Sequence, residues 1–259
     1  MPEAILFLHG IPTRGCLWNG IVGRLSSRFL CITVDLPPEG FRNLAALAAR
    51  LENIRTEHGI ERWHVVAHDG GCAVAVHYAH QFPYSVGCVA LLSPSMFPEL
   101  KPFYLFELLR KPVLGELLAP AVNLLFWSVV MRLAVEGCRD EVKHFRAPFR
   151  GLRGSWRLMS LLRWGNPTDV LASIPTLLPA ISAPTLVFHG LKDRAVPAAF
   201  ARRACELIPH SDLILLNCGH FLPLSEPEAI AEGLLRLFGS QERWVHERAL
   251  AATAAGMPR

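Results

Sequence analysis

Three residues of this 259-residue chain combine type and setting in a way that could do chemistry. Asp69 sits in Ala67-His68-Asp69-Gly70-Gly71, Asp193 in His189-Gly190-Leu191-Lys192-Asp193, and His220 in Asn217-Cys218-Gly219-His220. Each follows a short apolar run that reads as a strand. Each is therefore expected just beyond a strand's C-terminal end, where open α/β sheets hold their sites. A carboxylate, with an ordinary pKa near ~3.9, is already an anion at neutral pH. It needs no base to attack a saturated carbon bearing a leaving group, and the product is an ester on its own side chain. A histidine beside it can activate water against that ester. A second carboxylate can hold the imidazole in one tautomer and stabilise its charged form. Taken singly, each residue reads as a loop or cap position, since Asp at a strand–helix turn is commonly an N-cap. The chain order nucleophile, acid, histidine on successive strand ends is what selects the chemical reading.

The elements that must position these residues are legible as apolar runs. Ala4–Leu8, Leu30–Val34, Trp63–Ala67 and Val86–Leu92 read as buried strands. Trp18, Ile21, Val22 and Leu25 recur at helical spacing. Asn43 is placed to cap a helix running to about His58, with Gly59 as its stop. A further helix from about Cys72 to Gln81 ends before Pro83. This β-α alternation predicts a parallel sheet covered on both faces. From Pro94 to about Pro179 the chain is aromatic-rich and helical in pattern, and its prolines between Pro94 and Pro120 predict several short helices. The alternation then resumes with strands Thr185–His189 and Asp212–Leu216 and helices Ala198–Ile208 and Glu228–Phe238. The expected organisation is a core in two parts, 1–93 and 180–259, around a helical lid at 94–179. The Ala-rich tail after Gly239 is read as a peripheral helix.

Composition narrows the classes. The chain is 51% hydrophobic and 19% charged, too apolar for a disordered protein. Its net charge of +4 comes from scattered Lys and Arg, so no nucleic-acid partner is expected. Seven cysteines form no C-x-x-C pair and sit mostly in apolar strings, as reduced thiols do. With no leader pattern at the N-terminus, a cytoplasmic location is expected. The uncharged run Leu117–Met131 is too short to span a bilayer. No His, Cys, Asp or Glu cluster has zinc spacing, and no cofactor or metal is implied. His77 and His80 read as helix-surface residues.

Two motifs at strand ends, His9-Gly10-Ile11-Pro12 and His68-Asp69-Gly70-Gly71, carry a resemblance. Over roughly residues 2–239 the chain resembles α/β-hydrolases, and more narrowly the branch of haloalkane dehalogenases and epoxide hydrolases. The resemblance implies an α/β-hydrolase fold: a mostly parallel sheet flanked by helices, an inserted helical lid, and no leading strand pair before Ala4. It implies Asp69 as nucleophile, Asp193 and His220 as its acid and base partners, and the N–H groups of Ile11 and Gly70 as oxyanion hole. The substrate would be an apolar small molecule. His9 and His68 are expected to shape loops rather than move protons.

Within that branch the leaving group is ambiguous. Dehalogenases commonly hold halide with Trp after the nucleophile and Asn after His-Gly; Gly70 and Ile11 stand there instead. Trp127, Trp156 or Trp164 of the lid would have to contribute. Epoxide hydrolases protonate the opening ring with lid tyrosines. Tyr104, in Phe103-Tyr104-Leu105-Phe106-Glu107, resembles the first tyrosine segment, and Trp156 stands where the second falls. Tyr104 and Trp156 are the expected substrate-binding residues. Lys111–Leu118 resembles the dehalogenase lid, including relatives that decarboxylate β-lactones. On these residues epoxide opening ranks above halide displacement. The alternatives are a β-lactone-processing enzyme and a non-catalytic scaffold binding a small molecule; a serine esterase is disfavoured because Asp69, not Ser, stands at the nucleophile elbow, the strand–helix turn Ala67–Gly71.

Overall fold

Strands covered on both faces need near-continuous apolar runs, and this requirement sorts the strands of the chain. In the computed structural model, residues 3–37, 43–100, 111, 113–133, 139–164 and 168–239 are described, those at 129–133, 139–142, 161–164 and 168 by backbone alone. Strands β1 (Ala4–Leu8), β3 (Trp63–His68), β4 (Val86–Leu92) and β5 (Thr185–Gly190) are buried at every residue. Strands β2 (Leu30–Val34) and β6 (Ser211–Leu216) are only partly buried. The sheet order β2-β1-β3-β4-β5-β6 explains the difference, because the two partly buried strands are its edges. All pairings are parallel.

Successive side chains along the strands divide between two cores. Leu6, Leu8, Val65, Ala67, Leu91 and Val187 pack on one face with Leu47, Leu51 and Ala201. Ile5, Phe7, Val66, Leu92, Leu186 and Phe188 pack on the other with Trp18, Ile21 and Leu234. The helices that supply these covers are α1 (Asn19–Leu25), α2 (Leu44–Glu57), α3 (Gly71–Gln81), α7 (Ala198–Leu207) and α8 (227–239). Asn43 does cap α2, its side chain accepting the Ala46 N–H at 2.9 Å.

Between β4 and β5 the described residues form helices and no strand. The principal ones are α4 (Leu114–Leu133), α5 (Arg139–Arg146) and α6 (Gly151–Trp164). One helix departs from the proline-based expectation of short pieces: α4 runs 20 residues with Pro120 inside it. Pro120 deletes one backbone donor near the start of the helix. Burial of Ala119, Val122, Phe126 and Trp127 along the inner side outweighs that loss. The tail after Gly239 lies outside the described residues.

Register brings the strand ends to one edge. Leu8 pairs with Ala67, His68 with Leu92, Leu92 with Phe188, and Gly190 with Leu216. The loops after β1, β3, β5 and β6 therefore emerge side by side. The last two are pressed together: a Cβ on Gly190 would lie 2.4 Å from the Gly219 carbonyl oxygen and 2.6 Å from that of Cys218. Gly190→Ala is expected to cost about 1–3 kcal/mol, the usual price of overpacking, read as a lowered urea midpoint. An unchanged midpoint would contradict the close approach.

Candidate active site

Asp69 occupies the turn between β3 and α3 with φ 51°, in the left-handed region. Asp tolerates that region better than most residues. Its N–H donates to the Leu92 carbonyl at 3.0 Å, and its own carbonyl accepts the Cys72 N–H at 3.0 Å as α3 begins. The carboxylate thus stands at the positive end of an 11-residue helix. Its Oδ2 accepts the Ile11 N–H at 2.8 Å. That seat exists because residue 10 is glycine: a Cβ there would lie 2.4 Å from both Cβ and Oδ2 of Asp69.

The other oxygen, Oδ1, lies 3.7 Å from Nε2 of His220, too far for a hydrogen bond. On its other side His220 is fixed. Its Nδ1–H donates to Oδ2 of Asp193 at 2.9 Å. Oδ1 of Asp193 accepts the N–H groups of Ala195 at 2.8 Å and Val196 at 2.9 Å. Burial opposes a charge on Asp193, yet the His220 hydrogen bond and charge, with the Val196 N–H, hold its pKa well below the usual carboxylate range. An ionised Asp193 only accepts, so the His220 proton belongs on Nδ1 and the Nε2 lone pair faces Asp69. For His220 itself burial would lower the pKa. The Asp193 hydrogen bond and charge, and the Asp69 charge, raise it above 6.5 instead.

Two more histidines brace these loops. His68 is fully buried, and its Nε2–H donates to the His220 carbonyl at 2.9 Å. Burial, then the neighbouring His220 charge, push its pKa down to about 4, so it is neutral at pH 7. His9 bonds through Nδ1 to the Gly10 carbonyl at 2.8 Å and accepts the Leu36 N–H on Nε2 at 2.9 Å. Burial lowers its pKa as well. Neither ring meets the Asp69 carboxylate through a hydrogen bond, in keeping with loop-shaping roles.

A cleft of about 110 Å³ opens beside the carboxylate's seat, lined by Gly10, Ile11, Pro12, Leu36, Phe149 and Arg157 among others. The sequence reading did not single out the groups that shape it. Arg14 pairs with Asp35, which also accepts the Gly15 N–H at 2.8 Å, fixing the loop after Pro12. On the opposite wall, buried Asn123 donates to the Phe149 carbonyl at 2.8 Å and to Ser155 Oγ at 2.9 Å. An Asn in the middle of an apolar run was the available signal, because a buried amide needs partners.

The remaining expected site residues are placed differently. Gly70 leads into α3, but its N–H makes no hydrogen bond to Asp69. Trp156 is 49% exposed on the outer side of α6 and does not line this cleft, whereas its neighbour Arg157 does. Tyr104 lies outside the described residues, as does the side chain of Trp164. Trp127 is buried on α4. Among the described residues no group of three or more His, Cys, Asp or Glu could hold a metal ion. No helix among them is long and apolar enough to cross a membrane. Of the six described cysteines, Cys72, Cys88 and Cys218 are buried.

The family model for the alpha/beta hydrolase family matches residues 5–233, and the chain belongs to that family. Among its relatives is a haloalkane dehalogenase of Bradyrhizobium diazoefficiens, 27% identical over 89% of this chain and 85% of that protein. Another is a pimeloyl-[acyl-carrier protein] methyl ester esterase of Nitrosomonas europaea, 26% identical over 86% and 91%. The crystal structure of a haloalkane dehalogenase from Bradyrhizobium elkani superposes with a TM-score of 0.77 at 26% identity, covering 93% of this chain and 91% of that one. The chain is thus similar to hydrolases of both kinds.

The account of His220 has a direct consequence. In Asp193→Asn the hydrogen bond to a charged partner is gone, and the His220 pKa is expected to fall by about one unit or more. Imidazole NMR titration measures it; an unchanged pKa would show that Asp193 is not the cause.

Proposed function

We propose that this hydrolase displaces a leaving group from a saturated carbon through an alkyl ester on Asp69. The observation that carries the reading is the division of labour within one carboxylate. Oδ2 is seated on the Ile11 N–H, and Oδ1 is left facing the His220 side of the site. Oδ1 attacks carbon, the carbon–halogen bond breaks, and halide leaves with the electron pair. His220 then takes a proton from water on Nε2, and the hydroxide adds to the ester carbonyl carbon. The oxygen that becomes negative is Oδ2, already held by the Ile11 N–H. Collapse of the intermediate breaks the ester bond, and the departing oxygen takes the proton from His220 Nε2 to leave as the alcohol. Asp193 keeps His220 in the required tautomer.

The electrostatics fit this order of events. Esterification removes the Asp69 charge, one of the causes that raise the His220 pKa. His220 thereby becomes easier to hold neutral when a base is needed. The helices between β4 and β5 act in this reading as the lid, since Pro148, Phe149 and Arg157 face Ile11 across the cleft.

Halide as the leaving group is supported by Trp127. Its indole N–H is buried with no hydrogen-bond partner, and its ring packs 5.7 Å from Phe149 on the cleft wall. An unsatisfied buried donor suits an anion that arrives during turnover. The dehalogenase relatives support the same choice. Epoxide opening, favoured by the sequence, remains a second reading carried by Tyr104. Trp127→Phe should lower haloalkane turnover by about tenfold or more and spare epoxides; Tyr104→Phe should do the reverse. The pair of variants separates the readings by steady-state kinetics.

His220→Gln tests the ester itself. Alkylation needs only the carboxylate, so the variant should slow the second step by about 10²–10⁴-fold. Intact-protein mass after incubation with bromoalkanes and epoxides should show an adduct, absent in Asp69→Asn. No adduct across a broad panel would favour a scaffold that binds without reacting.

A further inference from the structure

The helices between β4 and β5 carry an outward face that the proposed reaction does not use. On α4, Leu114, Leu117, Leu124 and Leu125 are exposed, Leu117 by 75% and Leu124 by 63%. Their spacing places them on one side of the helix. That side has no charge between Leu117 and Met131. On α6, Leu152 is 70% and Trp156 49% exposed, one turn apart, with exposed Arg153 and Arg157 beside them. The Asn123–Ser155 hydrogen bond joins the two helices, so both faces belong to one helical pair. Of the ten large apolar side chains exposed among the described residues, seven lie between Val113 and Trp156.

Charge is concentrated in the same stretch. Residues 94–179 hold 11 Lys or Arg against 7 Asp or Glu, which equals the +4 of the whole chain. The rest of the sequence has 15 of each sign and is neutral.

We propose that this face docks on an anionic lipid bilayer surface, lying on it without crossing. Leucines with a Trp on one side and arginines around them are the composition of an interfacial helix. The leucines and Trp156 would enter the acyl boundary. Arg150, Arg153 and Arg157, all exposed, would meet the headgroups with their stems along the apolar layer. Charge also argues against a second copy as occupant. A symmetric dimer through this face would bring two segments of net +4 together, whereas an anionic surface complements each one. Arg157 lines the cleft as well, so docking sets the cleft's rim at the bilayer, where apolar molecules concentrate. This surface property does not depend on Asp69 being a nucleophile.

Co-sedimentation of the full chain with phosphatidylcholine vesicles, with and without phosphatidylglycerol, tests it. The protein should pellet with the anionic vesicles, weakly or not at all with the neutral ones, and be released by salt. Arg150→Glu combined with Arg153→Glu should lower partitioning by about tenfold or more. Leu117→Gln combined with Leu124→Gln should do likewise. All four positions are exposed, and an unchanged Tm confirms intact folding; if the leucine pair melts early, Leu124→Gln alone takes its place. Failure to pellet with either vesicle, or pelleting that neither pair of substitutions weakens, overturns the proposal. So does a concentration-dependent dimer, by light scattering, that the leucine substitutions dissolve, since the face would then belong to a second copy.

Discussion

The carboxylate of Asp69 held on one backbone N–H is the contact around which this sheet edge is arranged. It requires a residue with φ 51° at the end of β3, at a conformational cost of about 1–2 kcal/mol. It requires a loop after β1 that comes within reach of that side chain without a Cβ in the way, hence glycine at position 10. The hydrogen bond from Ile11 to a charged acceptor contributes about 1.5–3 kcal/mol, enough to offset the backbone term. His9 completes the arrangement by tying the same loop to the chain leaving β2 through Leu36.

The partners of Asp69 are held by a second, independent set of contacts. Asp193 is anchored by two backbone N–H groups of its own loop and so presents a fixed oxygen to His220. His68, adjacent to Asp69 in sequence, grips the His220 backbone from below. Parallel register delivers all of these loops to one edge, and burial decides their protonation. Desolvation keeps His9 and His68 neutral, while two carboxylates hold His220 poised above its ordinary value. Surroundings alone thus move the pKa values of three histidines at one edge in opposite directions, His9 and His68 down and His220 up.

Much of this was legible in the residues. Strands β1, β2 and β4 begin and end where their apolar runs do, because a buried strand has no other way to be written. The elbow was legible because the chemistry of an anion at a strand–helix turn is local. The helices between β4 and β5 were not. Prolines suggested fragments, but α4 is continuous, since packing of its inner side overrides a single missing donor. Trp156 looked like a pocket residue from its position in a motif, yet it is half exposed and does not line the cleft, whose rim its exposed neighbour Arg157 reaches. A place in a motif does not fix the helical phase, and each residue along a helix turns the side chain by 100°. The link from Asn123 to Ser155 escaped notice for a related reason, as its partners are distant in sequence and nothing local announces them.

The most direct test follows the oxygen. A single turnover in ¹⁸O-water, with enzyme in excess over a bromoalkane, should leave the label in the peptide containing Asp69 and little in the alcohol. The alcohol's oxygen comes from the carboxylate, and water only replaces what was given up. Label appearing in the alcohol at once, with Asp69 unlabelled, would mean that water attacks the substrate directly, and the nucleophilic role of Asp69 would be wrong.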